Sequence, residues 1–359
     1  MNIEALAYDL PPGLIATRPA EPRDRARMLV VRCQGGTIEH ASVHDLPELL
    51  EPADLLIRND TAVLAARLLG TRASDGRRGG GRVEGLFLEA HEDGCWTVVL
   101  SGSGTLGVGE VIELVGPGAR HASLRLLEKH GRYWRAAPEP AGEAAELLEA
   151  LGRTPLPPYI LKARRARGEI IDDASDRQWY RTLFARADRA GSVAAPTAGL
   201  HLTDQLRARL EQRGVRQAAV TLHVGEGTFR PVTAATLEDH RMHAESWLVE
   251  PAGVEAIRRG PGCGGRFLAV GTTTTRLLES LPEDLPDGPL SGSTDLLISP
   301  GYSFRRVDGL LTNFHLPRST LLALVAARTG LELMHEAYRT AVAERYRFYS
   351  YGDAMLILP

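Results

Sequence analysis

Strand-like and helix-like segments alternate near both ends of this chain, whereas residues 64–154 contain short strand-like runs separated by glycine-rich turns. Short strands at close, regular spacing are typical of a small antiparallel barrel or sandwich. Strands that alternate with helices are typical of an α/β fold. We therefore predict a layered αβα fold in which residues 1–63 and 155–359 form one large discontinuous domain. A small antiparallel β-barrel domain, residues 64–154, is inserted into it.

The strand-like runs of the inserted segment are residues 83–89, 95–100, 111–115 and 133–136, followed by an acidic helix at 142–151. In the outer segments, apolar runs predict strands at 28–31, 55–57, 247–250, 266–270, 294–298, 310–315 and 354–358. The same segments carry helix patterns at 272–281, 317–328 and 338–344.

Residues 191–232 read as a loop, a helix, a strand and a second loop, with polar residues where these segments join. Thr203 is placed to cap a helix whose leucines recur every four residues, and Gly214 to end that helix. In the strand that follows, apolar residues alternate with Thr221 and His223, so the two sets lie on opposite faces. Small residues beside His, Thr, Glu and Arg allow a ligand to approach the backbone. This pattern predicts a binding site.

Composition excludes several classes of protein. The 359 residues carry 42 basic and 45 acidic side chains, a net charge of -3, which neither favours nor excludes nucleic acid because phosphate contacts need only a local basic patch. Cys33, Cys95 and Cys263 are far apart and not followed by spaced histidines, so we expect no disulfide framework and no metal site. No signal peptide or membrane-spanning run is present, which predicts a cytoplasmic protein without a membrane partner.

Three further segments each have two interpretations. Residues 162–167, Lys-Ala-Arg-Arg-Ala-Arg, form either a solvated helix face or a patch that binds phosphate. Asn59-Asp-Thr61 follows a predicted strand and is either turn chemistry or part of a site. Gly271-Thr-Thr273 begins a helix and either caps it or offers amides and hydroxyls to an anion.

Seven strings spread along the chain carry a resemblance to a known family. They are AAPTAGLHLT, TLHVGEGTFRPV, HRMHAE, AVGTTTTR, TDLLISPGY, LLTNFHLPRSTLL and RYRFYSYGDAML. In this order the chain resembles the S-adenosylmethionine:tRNA ribosyltransferase-isomerases of queuosine biosynthesis. The inserted segment matches least, because ASDGRRGGG near residues 74–82 is longer and richer in glycine than the family pattern.

The resemblance implies a reaction on tRNA. Enzymes of this family move the ribosyl part of S-adenosylmethionine, their ribosyl-donor substrate, onto 7-aminomethyl-7-deazaguanine at the wobble position of the tRNA anticodon stem-loop. The product is epoxyqueuosine-tRNA, and adenine and methionine are released. A base first removes a proton next to the sulfonium. In HRMHAE, two histidines three apart with a glutamate suggest a metal only as the minor interpretation, because the helical spacing of an HExxH motif is absent.

The candidate site residues follow from these strings and from the chemistry they require. The first candidates for the base are His223 and Glu226, and further catalytic candidates are His315 and Asp353. The candidates for substrate binding are His201, Thr228, Arg230, His243, Glu245, Thr272, Thr273 and Asn313, with the two helix-initial threonines expected to hold the methionine carboxylate. The candidates for tRNA binding, Arg164, Arg165 and Arg167, lie outside these strings and come from the basic segment at 162–167.

Other interpretations remain open at this point. Any single histidine in the set is as readily a structural residue as a functional one. The chain as a whole is alternatively a noncatalytic tRNA-binding module, with the barrel and the arginine patch holding tRNA. A methyltransferase that uses the same cofactor is a third class, although no strand–GxGxG–helix unit is present. Release of adenine rather than S-adenosylhomocysteine separates the three.

Overall fold

The structure, a computed structural model, describes residues 1–73, 80–102, 104–117, 120–229, 232 and 234–359, with the backbone alone at 228 and 229. Most of the glycine-rich turn at 74–82 therefore lies outside the described residues. Within these ranges, no helix is both long and apolar enough to cross a membrane.

The strands and helices of the described ranges are as follows. The strands are β1 (Arg27–Arg32), β2 (Thr37–Ser42), β3 (Leu55–Asn59), β4 (Ala62–Val63), β5 (Arg67–Arg72), β6 (Arg82–Ala90), β7 (Trp96–Gly102), β8 (Val111–Val115), β9 (His121–His130), β10 (Tyr133–Glu139), β11 (Ala190–Ser192), β12 (Arg216–Leu222), β13 (Glu245–Val249), β14 (Phe267–Val270), β15 (Leu290–Thr294), β16 (Gly309–Asn313) and β17 (Ala354–Leu358). The helices are α1 (Leu46–Leu49), α2 (Ala144–Leu151), α3 (Pro158–Arg167), α4 (Asp173–Trp179), α5 (Asp204–Gln212), α6 (Pro251–Arg259), α7 (Thr272–Ser280), α8 (Thr320–Thr329) and α9 (Leu331–Ala343).

The large sheet has the strand order β15-β13-β12-β3-β14-β16-β17-β1-β2. Its central strands β12, β3, β14 and β16 run parallel to one another, and Ile57 of β3 pairs with Ala218 on one side and Ala269 on the other. The outer strands β13, β15 and β2 pair antiparallel. All four central strands therefore place their carboxyl ends at one edge of the sheet, where open α/β sheets bind ligands.

Alternating residues of the central strands pack into two separate apolar cores, one on each face of the sheet. Ile57 and Val220 pack in the core that contains residues of α6 to α9, whereas Leu56 packs with Leu206 and Leu210 of α5 on the opposite face. A sheet buried on both faces requires strands that are apolar throughout, as in Leu-Leu-Ile of β3. The predicted αβα layering is confirmed.

The helix–strand unit at 203–222 has the local structure predicted for it. The Thr203 side chain accepts a hydrogen bond from the Leu206 amide at 3.1 Å and caps α5. Gly214 ends the helix with φ of +85°, a conformation that favours glycine. β12 follows at once, and its last residue, Leu222, is fully buried.

Residues between Arg67 and Glu139 form a closed antiparallel barrel with the strand order β10-β7-β6-β5-β8-β9. Its core contains Trp96 and Trp134, and Leu148 and Leu151 of α2 pack against the same core. The predicted barrel is confirmed, although the sequence patterns missed β5 and β9. The domain boundaries at 63/64 and 154/155 stay predictions.

The strand predicted at 294–298 is wrong, because β15 ends at Thr294 and pairs antiparallel with β13. Beyond this strand, the Arg276 guanidinium donates hydrogen bonds to the carbonyls of Thr294 and Leu296, at 3.3 and 2.9 Å. The Thr294 hydroxyl also accepts the Leu296 amide. These three backbone groups are therefore satisfied by two side chains and not by a neighbouring strand.

Candidate active site

A pocket lies at the carboxyl ends of β14 and β16, where the parallel strands predict a ligand site. Its floor and walls come from the loops that carry most of the family-like strings. The lining residues are Tyr159, Ala195, Pro196, Thr197, Ala198, Val224, Gly271, Thr272, Thr273, Thr312, Asn313, Phe314, His315, Leu316, Ser319, Leu321, Tyr349 and Ser350. The structure thus brings four predicted site residues together: Thr272, Thr273, Asn313 and His315.

The amino terminus of α7 opens into this pocket. Gly271 precedes the helix with φ of +91°, and Thr272 and Thr273 are its first residues. The next two threonines are satisfied inside the helix, since Thr274 and Thr275 donate to the carbonyls of residues 270 and 271. The first amides of a helix lack partners within it and carry partial positive charge. This end of the pocket therefore suits a carboxylate.

His315 is held neutral and in one tautomer. Burial lowers its pKa to about 3, so the ring carries no charge at neutral pH. Thr312 is 1% exposed, and its hydroxyl lies 2.8 Å from Nε2 of His315. This nitrogen is the one hydrogen-bond partner of the hydroxyl among the described side chains. A buried hydroxyl needs an acceptor for its proton. The Thr312 hydroxyl therefore donates to Nε2 of His315. The proton of the imidazole then sits on Nδ1, which makes His315 a hydrogen-bond donor.

Asn313 is fixed by three contacts around the same pocket. Its amide oxygen accepts from the Thr197 hydroxyl at 3.1 Å, and its amide nitrogen donates to the Tyr349 carbonyl at 3.2 Å and to Nε2 of His201 at 3.0 Å. Burial, with smaller effects of Arg347 and Arg23, lowers the pKa of His201 to about 3. His201 lies behind Asn313 and does not line the pocket, so it positions Asn313 instead.

Aromatic side chains form the remaining wall, and sequence analysis missed them. The rings of Tyr159 and Tyr349 lie 4.5 Å apart between centroids, and Phe314 lies beside them in the lining. Burial raises the pKa of both tyrosines, so both phenols stay protonated. Aromatic faces attract cations that have been removed from water. The pocket therefore combines a site for an anion with a wall suited to a cation.

His223 and Glu226 flank Val224, which lines the pocket, but their own side chains lie elsewhere. Nδ1 of His223 is 2.9 Å from the Thr61 hydroxyl, and its amide donates to the Ser246 carbonyl. Burial and the Arg189 guanidinium lower the pKa of His223, against the opposing effect of Asp60. His223 is therefore a neutral imidazole at physiological pH and able to take a proton.

Glu226 joins the large sheet to the barrel. Its carboxylate accepts hydrogen bonds from the Arg132 guanidinium at 3.1 Å and the Tyr133 hydroxyl at 2.8 Å, both at the β9–β10 turn. Burial, and then the Glu226 carboxylate, raise the pKa of Tyr133, which keeps this phenol a donor. The loop that follows β12 is thereby fixed to the inserted barrel.

Glu245 and His243 support the same loop. One carboxylate oxygen of Glu245 accepts the Gly225 amide at 3.0 Å, and the other binds the guanidinium of Arg276 from α7. The His243 ring packs on Gly227, where a Cβ atom would come within 2.7 Å of it. These contacts link α7 to the loop at 225–227. The candidates Arg230 and the side chain of Thr228 lie outside the described residues.

Asp353 is engaged away from the pocket. Its carboxylate accepts the Arg347 amide at 2.8 Å, the Arg347 guanidinium at 3.1 and 3.2 Å, and the Arg27 amide at 3.3 Å. The residue is 2% exposed at the start of β17. These contacts favour a structural role, anchoring β17 beside β1, over the expected catalytic one.

The three arginines of α3 differ in their surroundings. Arg164 is 5% exposed and binds the Asp176 carboxylate through two nitrogens, both at 2.7 Å, so the expected phosphate contact is corrected to a buried ion pair. Arg167 donates to the carbonyls of residues 13 and 15. Arg165 is exposed, and its guanidinium has no hydrogen-bond partner in the described ranges. Helix periodicity places Arg164 and Arg165 on different faces.

Comparison with known proteins decides the family. The model of a family described as queuosine biosynthesis protein matches residues 3–357. The chain belongs to the queuosine biosynthesis protein family. The resemblance drawn from the seven strings is thereby confirmed.

Relatives in the queuosine biosynthesis family cover nearly the whole chain. A protein named S-adenosylmethionine:tRNA ribosyltransferase-isomerase from Gloeobacter violaceus is 49% identical over 98% of this chain and 94% of its own length. One of the same name from Anaeromyxobacter dehalogenans is 46% identical over 100% and 99%. A crystal structure of an S-adenosylmethionine tRNA ribosyltransferase from Thermotoga maritima shares 33% identity and a TM-score of 0.52, covering 99% of this chain and 100% of that one. The prediction that this chain is an enzyme is confirmed.

Proposed function

We propose that this queuosine biosynthesis protein transfers the ribosyl group of S-adenosylmethionine to 7-aminomethyl-7-deazaguanine in tRNA. The ribosyl group is isomerised so that the product is epoxyqueuosine-tRNA, and adenine and methionine leave. The observation that carries the proposal is the pocket: the family-like strings converge on a space with an anion site at one end and aromatic walls. The names of the full-length relatives support the same reaction. We expect the enzyme to act in the cytoplasm.

S-Adenosylmethionine carries a carboxylate, a sulfonium and an adenine, and the pocket offers a group for each. The amides and hydroxyls of Thr272 and Thr273 bind the methionine carboxylate at the positive end of α7. Tyr159 and Tyr349 attract the sulfonium. His315 donates its Nδ1 proton to the departing adenine, whose nitrogens gain negative charge as the glycosidic bond breaks. The amide oxygen of Asn313 has one lone pair left to accept a hydrogen bond beside it, since both amide hydrogens are used by His201 and Tyr349.

The reaction starts with loss of a proton next to the sulfonium, and we assign the base to His223. His223 does not line the pocket but directly precedes Val224, which does, so the carbon beside the sulfonium must lie at this edge of the pocket. The neutral imidazole of His223 has one nitrogen on Thr61 and the other without a partner among the described residues. Glu226 has its carboxylate occupied by Arg132 and Tyr133, so we assign it to positioning. We assign no step to a metal ion.

The tRNA reaches this loop along a groove between the barrel and α3. Arg165 lies on its rim, and Glu226 lies in its lining. Proline and leucine side chains give apolar surfaces on which bases stack, and arginines attract phosphates. The arginines, prolines and leucines that line the groove are Arg67, Arg132, Pro155, Leu156, Pro157, Pro158, Leu161 and Arg165. Val224 lines the pocket and Glu226 lines the groove, so the loop at 223–226 borders both, and the modified base contacts the ribosyl donor beside it.

Chromatography of a reaction with S-adenosylmethionine and tRNA that carries 7-aminomethyl-7-deazaguanine tests the proposal. Adenine and methionine are the expected products, in equal amounts. S-Adenosylhomocysteine in their place would identify a methyltransferase. If tRNA bound with no product formed under any condition, the chain would be a noncatalytic tRNA-binding module.

A further inference from the structure

The turn Asn59-Asp-Thr61 contacts His223 through the Thr61 hydroxyl, and the proposed reaction gives this contact no role. The Thr61 hydroxyl, 1% exposed, lies 2.9 Å from Nδ1 of His223, 2.8 Å from the Ser192 hydroxyl and 3.3 Å from the Arg189 carbonyl. One hydroxyl thus meets three polar groups at the carboxyl end of β3. Because it has one proton and two lone pairs, the three contacts constrain each other.

The direction of the hydrogen bond between Thr61 and Ser192 follows from the contacts of Ser192. Its hydroxyl oxygen accepts the Val224 amide at 2.8 Å, and the residue is fully buried. The one acceptor for its own proton among the described residues is the Thr61 oxygen, so Ser192 donates to Thr61. Thr61 must then place its proton either on Nδ1 of His223 or on the Arg189 carbonyl.

The two arrangements differ by one hydrogen bond. If Thr61 donates to His223, the Arg189 carbonyl loses its contact with the hydroxyl. If Thr61 donates to the Arg189 carbonyl, its oxygen accepts from both Ser192 and Nδ1 of His223, and all three contacts are hydrogen bonds. Three hydrogen bonds stabilise the cluster more than two, which favours the second arrangement. In it the imidazole carries its proton on Nδ1.

We propose that Thr61 is a positioning residue that holds His223 with its proton on Nδ1 and so leaves Nε2 unprotonated to act as the base. The role in catalysis rests on the proposed function; the tautomer does not. In the reaction, a proton moves from the carbon beside the sulfonium to Nε2, and the electron pair stays on that carbon. The imidazolium that forms keeps its Nδ1 hydrogen bond to Thr61, so no group must rotate.

Neighbouring residues fix this geometry. The Asn59 amide oxygen accepts the Thr61 amide at 3.0 Å and the Leu222 amide at 3.1 Å, which ties the turn to the end of β12. The His223 ring lies against Gly191, where a Cβ atom would come within 2.8 Å of Nδ1. Asn59 therefore sets the position of the Thr61 hydroxyl, and glycine at 191 allows the ring to reach it.

The tautomer is measured by nitrogen-15 NMR on the full chain labelled at histidine, with His223→Gln used to assign the His223 signals. The expected result for the wild type at neutral pH is a protonated Nδ1 and an unprotonated Nε2. Thr61→Ser is expected to keep this pattern, and Thr61→Val to lose it. A protonated Nε2 in the wild type, or an unchanged tautomer in Thr61→Val, overturns the proposal whether or not the enzyme releases adenine.

Rates then separate positioning from general damage. Thr61→Val is expected to lower the single-turnover rate of adenine release roughly tenfold to a hundredfold, the effect of losing one hydrogen bond to a group that becomes charged, and Thr61→Ser to restore most of it. Thr182→Val is the matched control, because the buried Thr182 hydroxyl has no partner among the described residues. Equal losses in Thr61→Ser and Thr61→Val, with a folded protein, would overturn the role in catalysis while leaving the reaction itself established.

Discussion

The Thr312 hydroxyl oxygen lies 2.8 Å from Nε2 of His315, three residues farther along the chain. His223 has a hydroxyl on its other ring nitrogen, since Thr61 contacts Nδ1. The nitrogen left for a ligand is therefore a proton donor in His315 and an acceptor in His223. Environments that give two titratable groups opposite tasks are typical of acid–base catalysis.

Removal of the Thr312 hydroxyl should weaken proton donation by His315 and leave S-adenosylmethionine binding nearly unchanged. Thr312→Val leaves Nε2 without its donor, and the imidazole proton is then free to move to Nε2. We expect roughly tenfold slower adenine release, with little change in S-adenosylmethionine affinity. Thr312→Ser keeps the hydroxyl and should stay near the wild-type rate. Equal rates in all three proteins would show that the tautomer of His315 does not matter.

His223 and Glu226 should respond differently to substitution. If His223 removes the proton, His223→Ala should lower the rate by about 10²–10⁴, with cofactor affinity and stability nearly unchanged. Glu226→Gln keeps an acceptor for Tyr133 and should have a smaller effect on the rate. The measurement is single-turnover adenine release beside equilibrium binding. A near-wild-type His223→Ala with an inactive Glu226→Gln would move the base to Glu226.

Substitution of two adjacent arginines on α3 should change two different properties, tRNA binding for Arg165 and stability for Arg164. Arg165→Ala should weaken tRNA binding and reduce the slope of log affinity against log salt by about 0.7–0.9, because one phosphate contact is lost. Arg164→Ala leaves Asp176 buried without its partner and should lower the free energy of unfolding by about 3–5 kcal/mol. Denaturant titration and salt-dependent binding test the pair. An unchanged salt slope in Arg165→Ala would make this face of α3 merely solvated.

Stability should fall in mild acid because of two buried histidines. The pKa of His201 and of His315 is about 3 in the folded chain, below the usual value near 6.5 of an unfolded one. The unfolded state binds more protons between these values, so the stability that each neutral ring contributes is fully present above pH 6.5 and is lost as pH falls toward 3. The slope is about 1 kcal/mol per pH unit per histidine. His201→Asn should reduce it in denaturant titrations at pH 7 and pH 5; an unchanged slope would contradict the assignment.

The sequence predicts those parts of the fold that local chemistry decides. Thr203 and Gly214 mark the ends of α5 because a cap and a left-handed turn need particular side chains. β5 and β9 escaped notice because they contain charged residues and pair only when the barrel closes. The end of β15 depends on Arg276, which comes from another element. Such contacts have no signature in the strand itself.

The same division applies to the site. The strings placed Thr272, Asn313 and His315 correctly at the ends of elements, and the parallel sheet brings them together. Which polar side chain faces the pocket depends on helix phase and packing, so the sequence does not show that Arg164 and Asp353 each lie buried in an ion pair. Tyr159 was missed because a buried aromatic residue at a helix start is ordinarily part of a core.

Transfer of the ribosyl carbons themselves is the most direct test of the proposed reaction. S-Adenosylmethionine labelled with carbon-13 throughout its ribosyl group is incubated with precursor tRNA, and the nucleosides of the digested tRNA are analysed by mass spectrometry. The account predicts that the labelled carbons appear in the wobble nucleoside in the same amount as free adenine and methionine. Label that stays in a released nucleoside, or a tRNA that gains only a methyl group, would contradict it.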